Sequence, residues 1–335
     1  MLSIENFSLV LDDEAIARPI LRDVNVTVSP GEVVGLVGES GSGKSTTAKA
    51  AVGAIPQRAR VTGRVSVGGD DVLAMGEMSL RGLRTRSAAM IFQDPRTTLN
   101  PVRTVGDFLT EQLEQLGWPR EKARRRTVEL LESVHVSKPE LRMKQYPHEL
   151  SGGMLQRVVI AAALASEPKL ILADEPTSAL DVSTQAEIMA LLEELRREHG
   201  FAVLFITHDL HLAAAACDRV YVMYAGHIVE EQPGRSLFTN ARHPYTRGLL
   251  GSVPDLSGDR PLMPIAGRPL MMSEAVSGCP FVDRCDWAEE ACRTWQAELI
   301  PVAPGVEAAC RRLPAVAADV GPSAAVWEGG TDDRS

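Results

Sequence analysis

Gly38-Glu39-Ser40-Gly41-Ser42-Gly43-Lys44-Ser45 is the stretch on which the reading of this chain turns. It meets the phosphate-loop pattern G-x-x-x-x-G-K-S/T at every fixed position. Its flanks supply the context the pattern needs: Glu32–Val37 is a short apolar run of strand type, and Thr46–Val52 is compatible with a helix. The glycines let backbone N–H groups curl around phosphate oxygens without Cβ collisions, and the following helix offers its positive end. Lys44 then reaches the β- and γ-phosphates, and the Ser45 hydroxyl, followed by Thr46, meets Mg²⁺. The alternative is a glycine-rich turn without chemistry. An intact Gly43-Lys44-Ser45 after a buried-type strand argues against it and implies a nucleotide site.

Further downstream, Leu170-Ile-Leu-Ala-Asp174-Glu175 is an apolar strand ending in two carboxylates. A buried strand that delivers Asp174 at its C-terminal end sets that carboxylate near a Mg²⁺ shell, with Glu175 placed to polarise a water. Alone, the pair is as compatible with a solvated strand end. Leu150-Ser151-Gly152-Gly153-Met154 reads as a helix start: Ser151 suits an N-cap, and the glycines expose N–H donors to an anion. His208, in Thr207-His208-Asp209 after the strand Val203–Ile206, would by itself be a solvent-exposed loop residue.

Composition bounds the rest. The chain has 335 residues, 44% hydrophobic and 24% charged, enough for one large domain or two ordinary ones. A net charge of −9 weighs against nucleic acid as a partner, and the basic run Arg120–Arg126 reads as a solvated helix face. No apolar run approaches the ~20 residues a membrane span needs, and the N-terminus lacks a signal-peptide pattern, so membrane association is expected through a partner. Strands at Leu2–Leu11, Val24–Val28 and Val65–Val67 suggest an antiparallel sheet beside the phosphate loop. From Val105 to Val134 the pattern is helical, broken at Gly117-Trp118-Pro119, with Leu109, Leu113, Leu116, Val128, Leu131 and Val134 as core positions. Strand runs at Leu170–Ala173, Ala202–Ile206 and Arg219–Met223, with a helix Thr184–His199 after the first, argue an α/β fold with a covered parallel sheet. Thr184-x-x-Glu187 fits a capping box for that helix.

The order of these motifs is specific. Phosphate loop, Gln93, Ser151-Gly152-Gly153, Asp174-Glu175, Ser178-Ala-Leu-Asp181 and His208 together resemble the ATPase subunit of an ATP-binding-cassette (ABC) transporter, over about Leu2–Gln232. The resemblance implies a P-loop NTPase cassette over residues 1–239: a RecA-like core, an antiparallel β subdomain and a helical subdomain at about 100–165. It implies that Gly38–Ser45 hold ATP and that Ser45, Gln93 and Asp174 attend Mg²⁺. Glu175 is then the general base, with Gln93, Lys44 and His208 around the γ-phosphate. Ser151, Gly152 and Gly153 match the signature that meets ATP held by another subunit, and Asp181 the residue linking the two sites. Two departures stand out. Met154 replaces a common Gln, and no aromatic lies between Leu9 and Pro30 to stack on adenine, leaving Ile16 or Arg18 as substitutes.

Met154, the Tyr146-Pro-His-Glu-Leu150 lead-in and His243-Pro-Tyr-Thr-Arg-Gly-Leu-Leu250 resemble the oligopeptide/dipeptide and nickel importers. Residues 240–314 then read as a separate accessory domain and 315–335 as a disordered tail. Cys279, Cys285, Cys292 and Cys310 are spaced C-x₅-C-x₆-C-x₁₇-C. Some family members bind a 4Fe-4S cluster there. Four thiolates also suit zinc, although no pair here has the tight zinc-knuckle spacing, and disulfides are disfavoured by compartment. Cys217 reads as a buried helix residue. The implied partners are a second ATPase subunit, a paralogue by family habit, two transmembrane permease subunits and an extracytoplasmic solute-binding protein, with this chain at the cytoplasmic membrane face. A soluble ABC ATPase of translation or repair is the rival; it usually carries doubled cassettes or basic arms. A generic kinase would leave Ser151 and His208 without a purpose.

Overall fold

A computed structural model describes residues 1–13, 16–254, 262–270, 274 and 277–318. Its strands are β1 (Leu2–Asp13), β2 (Ile16–Val28), β3 (Val33–Val37), β4 (Ala59–Val67), β5 (Asp70–Asp71), β6 (Ala88–Ile91), β7 (Leu170–Asp174), β8 (Ala202–Thr207), β9 (Arg219–Tyr224), β10 (His227–Pro233), β11 (Ile300–Ala303) and β12 (Val306–Ala308). They form two sheets, an antiparallel one ordered β2-β1-β4-β5 and a larger one ordered β11-β12-β10-β9-β3-β8-β7-β6. Strands β9, β3, β8, β7 and β6 run parallel, and β10, β12 and β11 extend the sheet antiparallel.

The parallel strands are near-continuous apolar runs because both of their faces are covered. Every residue of β3, β7 and β8 is buried. Alternation sends Val34, Leu36, Leu172 and Leu204 into one core shared with the antiparallel sheet. Val33, Val37, Ile171 and Phe205 enter a second core shared with the helices of residues 105–164. Those helices break where Gly117-Trp118-Pro119 requires, into Val105–Gln115 and Arg120–Ser133. Leu109, Leu113, Leu131 and Val134 are fully buried, while Leu116 and Val128 pack at the edge of the core.

One local expectation needs correction. The helix expected to start at a Thr184–Glu187 box starts earlier, spanning Val182–His199, and its N-cap is Asp181. The Asp181 carboxylate accepts from Thr184 N at 3.0 Å and from the hydroxyls of Thr184 and Ser183 at 2.7 and 2.5 Å, while Glu187 pairs with Arg157 at 3.1 Å. An Asp one turn upstream is the stronger acceptor, so it outcompetes the Thr. Residues 240–314 contribute to the main sheet. Strand β12 pairs with β10 through Glu230↔Ala308 and Glu231↔Glu307 and so completes an edge of the main sheet. The buried Glu230 carboxylate reinforces the join by accepting from the backbone N–H groups of Arg242 (2.8 Å) and His243 (2.9 Å). A short helix occupies Leu313–Ala318; the rest of the tail expected to be disordered lies outside the described residues.

Candidate functional site

Four neighbouring parallel strands, β3, β8, β7 and β6, end at the same edge of the sheet, and each hands over to a candidate side chain. Ligands of open α/β sheets bind outside such carboxyl ends. Strand β3 runs into Gly38, whose φ of 151° leaves no room for a side chain: a Cβ there would lie 2.1 Å from the Met223 carbonyl oxygen. Gly43, at φ 112°, starts the helix Lys44–Ala51. The loop between them turns back on itself, with Ser42 N donating to Glu39 O at 3.2 Å.

Lys44 Nζ is buried under this loop and donates to the carbonyls of Gly38 and Glu39, both at 2.8 Å. Burial lowers its pKa, against the opposing pull of the Glu175, Asp174 and Glu39 carboxylates. The Ser45 hydroxyl donates to Asp174 Oδ1 at 2.8 Å. Burial raises the Asp174 pKa, and the Ser45 hydrogen bond opposes the rise. Ser42 Oγ is buried and, among the described residues, finds no hydrogen-bond partner. Thr46 is half-buried in the helix's first turn, and Ser40 and Gly41 are exposed at the loop's outer bend. A buried cation, an orphan hydroxyl and a serine–carboxylate pair make a donor set suited to polyphosphate and a hard divalent ion.

Beyond Asp174 the chain turns sharply. Glu175 adopts φ 47°, a left-handed conformation rare outside Gly and Asn, fixed by its N–H donating to Ile206 O at 3.0 Å. Such strain concentrates where function needs a side chain aimed against local preference. Here it holds Glu175 Oε2 at 2.8 Å from Gln93 Nε2, which donates to it, and 3.3 Å from His208 Nδ1. The Glu175 side chain is largely covered, 18% exposed, whereas His208 is 61% exposed. Sequence pattern alone carried no signal of this conformation.

The remaining candidates form a second group. Ser151 is the N-cap of the helix Gly152–Leu164, its Oγ accepting from Met154 N at 3.3 Å. Gly153 approaches the segment led by Asp181: a Cβ on it would lie 2.7 Å from Thr184 Cγ2, and one on Gly152 would lie 3.3 Å from Leu180 Cδ2. Ser151 and Asp181 are exposed, as is Val182, at 82%. Among the described residues no hydrogen bond or ion pair joins this group to Lys44 or Glu175, and its polar face is open. Of the two candidates for the base, Arg18 is exposed on β2 opposite Leu11, and the side chain of Ile16 lies outside the described residues.

All five cysteines are free thiols. Cys217 is buried just after the helix Leu210–Ala216, its Sγ against Gly35. The other four line one small pocket, with Phe281, Trp287 and Trp295 among its walls. Burial pushes the Cys279 thiol up to about 11 and Cys285 up to about 12. Among the described residues, no three His, Cys, Asp or Glu side chains close on one point as the ligands of a metal ion would, so a bound metal or cluster is not supported by the arrangement as it stands.

Two residues that the motifs did not single out touch the phosphate loop. Arg284 forms a two-pronged ion pair with Glu39, and the Tyr245 hydroxyl accepts from Glu39 N at 2.9 Å. Both lie in stretches noted only as marks of a branch, His243–Leu250 and Cys279–Cys285.

Comparison with known proteins agrees with this geometry. The family model described as ABC transporter matches residues 21–178, and the one described as the C-terminal region of oligopeptide/dipeptide transporters matches residues 229–292. The oligopeptide transport ATP-binding protein OppD of Salmonella typhimurium is 46% identical over 274 residues, covering 81% of this chain and 82% of its own. That of Mycobacterium tuberculosis is 46% identical over 297 residues, covering 87% of this chain. The chain spans about half, 48%, of that mycobacterial relative's length. A solved dimer of the ATP-binding cassette MJ0796, bound to ADP and Pi, superposes with a TM-score of 0.63 at 30% identity, over 70% of this chain and 99% of that one. No helix among the described residues is long and apolar enough to cross a membrane. With phosphate loop, carboxylate pair, serine-capped helix and cysteine-bearing extension joined in one chain, this protein belongs to the ATP-binding subunits of ABC transporters, in the oligopeptide/dipeptide branch.

Proposed function

We propose that this chain is the ATP-hydrolysing motor subunit of an importer of peptides. The observation that carries the reading is the set of contacts around Glu175, held by Gln93 and His208 at the edge of a loop whose lysine is buried. Glu175 Oε2 takes a proton from water. Gln93 orients that carboxylate from one side, and His208 contacts the γ-phosphate from the other. The turn formed by Gly38, Glu39, Ser40, Gly41, Ser42, Gly43, Lys44, Ser45 and Thr46 wraps the phosphates, with the Glu39 side chain a strut of the turn held away from them by Arg284. Mg²⁺, held by Ser45 and Asp174 with Gln93 nearby, would neutralise charge on the β- and γ-phosphate oxygens.

The exposed group of Ser151, Gly152, Gly153, Asp181 and Val182 supports a composite site in which a second ATPase subunit, a paralogue, covers the nucleotide. Nucleotide then works as glue between subunits, and hydrolysis releases it. Two permease subunits carry the solute path, an extracytoplasmic binding protein delivers the solute, and this chain sits on the cytoplasmic membrane face. The test is affinity purification of the tagged chain from detergent-solubilised membranes of its own cells. The chain should co-purify with two integral-membrane proteins, and the complex in liposomes should take up peptide only with ATP. Uptake of nickel chelates in place of peptides would reassign the solute. Failure to associate with any integral-membrane protein would favour a non-transport ATPase.

The extension supports a finer expectation. Cys279, Cys285, Cys292 and Cys310 are candidates to hold a 4Fe-4S cluster, because all four line one pocket and four thiolates suit such a cluster. Protein purified without oxygen is expected to be brown and to contain iron and acid-labile sulfide, both lost on replacing Cys292 with Ala. Colourless protein containing zinc would refute the cluster.

A further inference from the structure

The extension reaches the nucleotide loop through two residues, Tyr245 and Arg284, of which Arg284 carries the charge. Arg284 immediately precedes Cys285 but is not among the residues lining the thiol pocket. Its Nη1 and Nη2 donate to Glu39 Oε2 at 2.8 Å and Oε1 at 3.1 Å, and its Nε donates to Ala266 O at 3.0 Å. The guanidinium lies over the Tyr224 and Phe281 rings at 5.7 and 5.9 Å, and only 7% of the side chain is exposed. Glu39 is thereby tied at every polar group it has. Its carboxylate goes to Arg284, its N–H to the Tyr245 hydroxyl, and its carbonyl to Lys44 Nζ and Ser42 N. Tyr245 in turn packs against Tyr224 and Phe281 at 4.5 and 5.4 Å between ring centroids.

Glu39 is an anomaly in a loop built to receive a polyanion. Unpaired, a carboxylate at the second position of the cradle would repel the phosphates and compete for Lys44. Paired in two-pronged geometry with a guanidinium that cannot lose its proton, it becomes a neutral strut. We propose that Arg284 is a positioning residue for nucleotide binding. In this role it cancels the Glu39 charge and holds the loop open for phosphate, so that the cysteine-bearing extension forms part of the nucleotide site. This rests on the phosphate-loop reading given above.

The test measures binding of a non-hydrolysable MgATP analogue to the full chain by calorimetry. Arg284→Gln is expected to weaken binding about tenfold and, in the assembled transporter, to raise KM for ATP with kcat within about twofold. Glu39→Gln in the same chain removes the uncompensated charge and should recover most of that loss, which a merely structural defect would not allow. Glu39→Gln alone, which leaves Arg284 in place, should bind the analogue at least as tightly as the unaltered chain. That variant decides the matter should Arg284→Gln fold poorly. Unchanged binding by Arg284→Gln, no recovery in the double variant, or weaker binding by Glu39→Gln alone would each overturn the inference. Lys44→Ala serves as the separate control. If it binds the analogue as well as the unaltered chain does, the nucleotide site itself has been misread, whatever Arg284 does.

Discussion

Replacing Glu175 with Gln is expected to leave nucleotide binding intact and to slow hydrolysis by about 10²–10⁴-fold, the usual contribution of a general base. The amide keeps the size and the hydrogen-bonding reach of the carboxylate, so the contacts with Gln93 and His208 can persist and the left-handed backbone is undisturbed. What it loses is the ability to accept a proton from water. Binding energy that normally ends in turnover should then accumulate as a closed dimer, seen by gel filtration with ATP and Mg²⁺ and absent with ADP. The Gln93→Ala variant should show a smaller defect, because Gln93 orients the base and attends the metal without itself accepting the proton. Equal hydrolysis by Glu175→Gln and the unaltered chain would remove Glu175 from the mechanism.

Gly38→Ala is expected to be nearly as damaging, for a steric reason. Its Cβ would meet the backbone carbonyl of Met223 at 2.1 Å, and that oxygen belongs to buried strand β9, which cannot step aside as a flexible side chain would. The φ of 151° adds conformational strain. Overpacking of this kind costs about 3 kcal/mol. If the loop takes up the distortion, the same energy corresponds to roughly a hundredfold loss of nucleotide affinity. Gly41 makes the internal comparison: its φ is 79°, but nothing lies within 4 Å of the position its Cβ would take. Gly41→Ala should therefore cost about 1 kcal/mol from backbone strain alone. Thermal melts and analogue titrations of the two variants should differ clearly; indistinguishable behaviour would mean that the close approach of Gly38 to β9 is unimportant.

The sequence was most informative where physics is local. Apolar runs such as Leu170–Ala173 could only be covered strands, Ser151 was a ready N-cap, and Gly117-Trp118-Pro119 had to interrupt a helix. The motif residues were also legible, because phosphate chemistry demands a particular order of glycine, lysine and hydroxyl. Contacts distant along the chain were not. Nothing near Glu39 announces a partner 245 residues away, and nothing in the low-periodicity stretch after residue 240 announces that Val306–Ala308 will pair with β10. Asp181 was picked out for its place in a motif, yet the local capping geometry that fixes it was assigned to Thr184, because two acceptors competed for one helix end. The left-handed Glu175 is set by the Ile206 carbonyl across the sheet, a tertiary demand that overrides residue preference.

Strand β12 has a consequence for where this molecule can be divided. A fragment stopping near residue 239 would carry the whole set of nucleotide motifs, yet it would bare the row of amide and carbonyl groups with which β10 now meets its neighbour. Naked sheet margins of that kind recruit other chains and promote clumping. The smallest workable motor is therefore longer than its catalytic signature, and the appendage doubles as a selvedge that keeps the fabric from fraying.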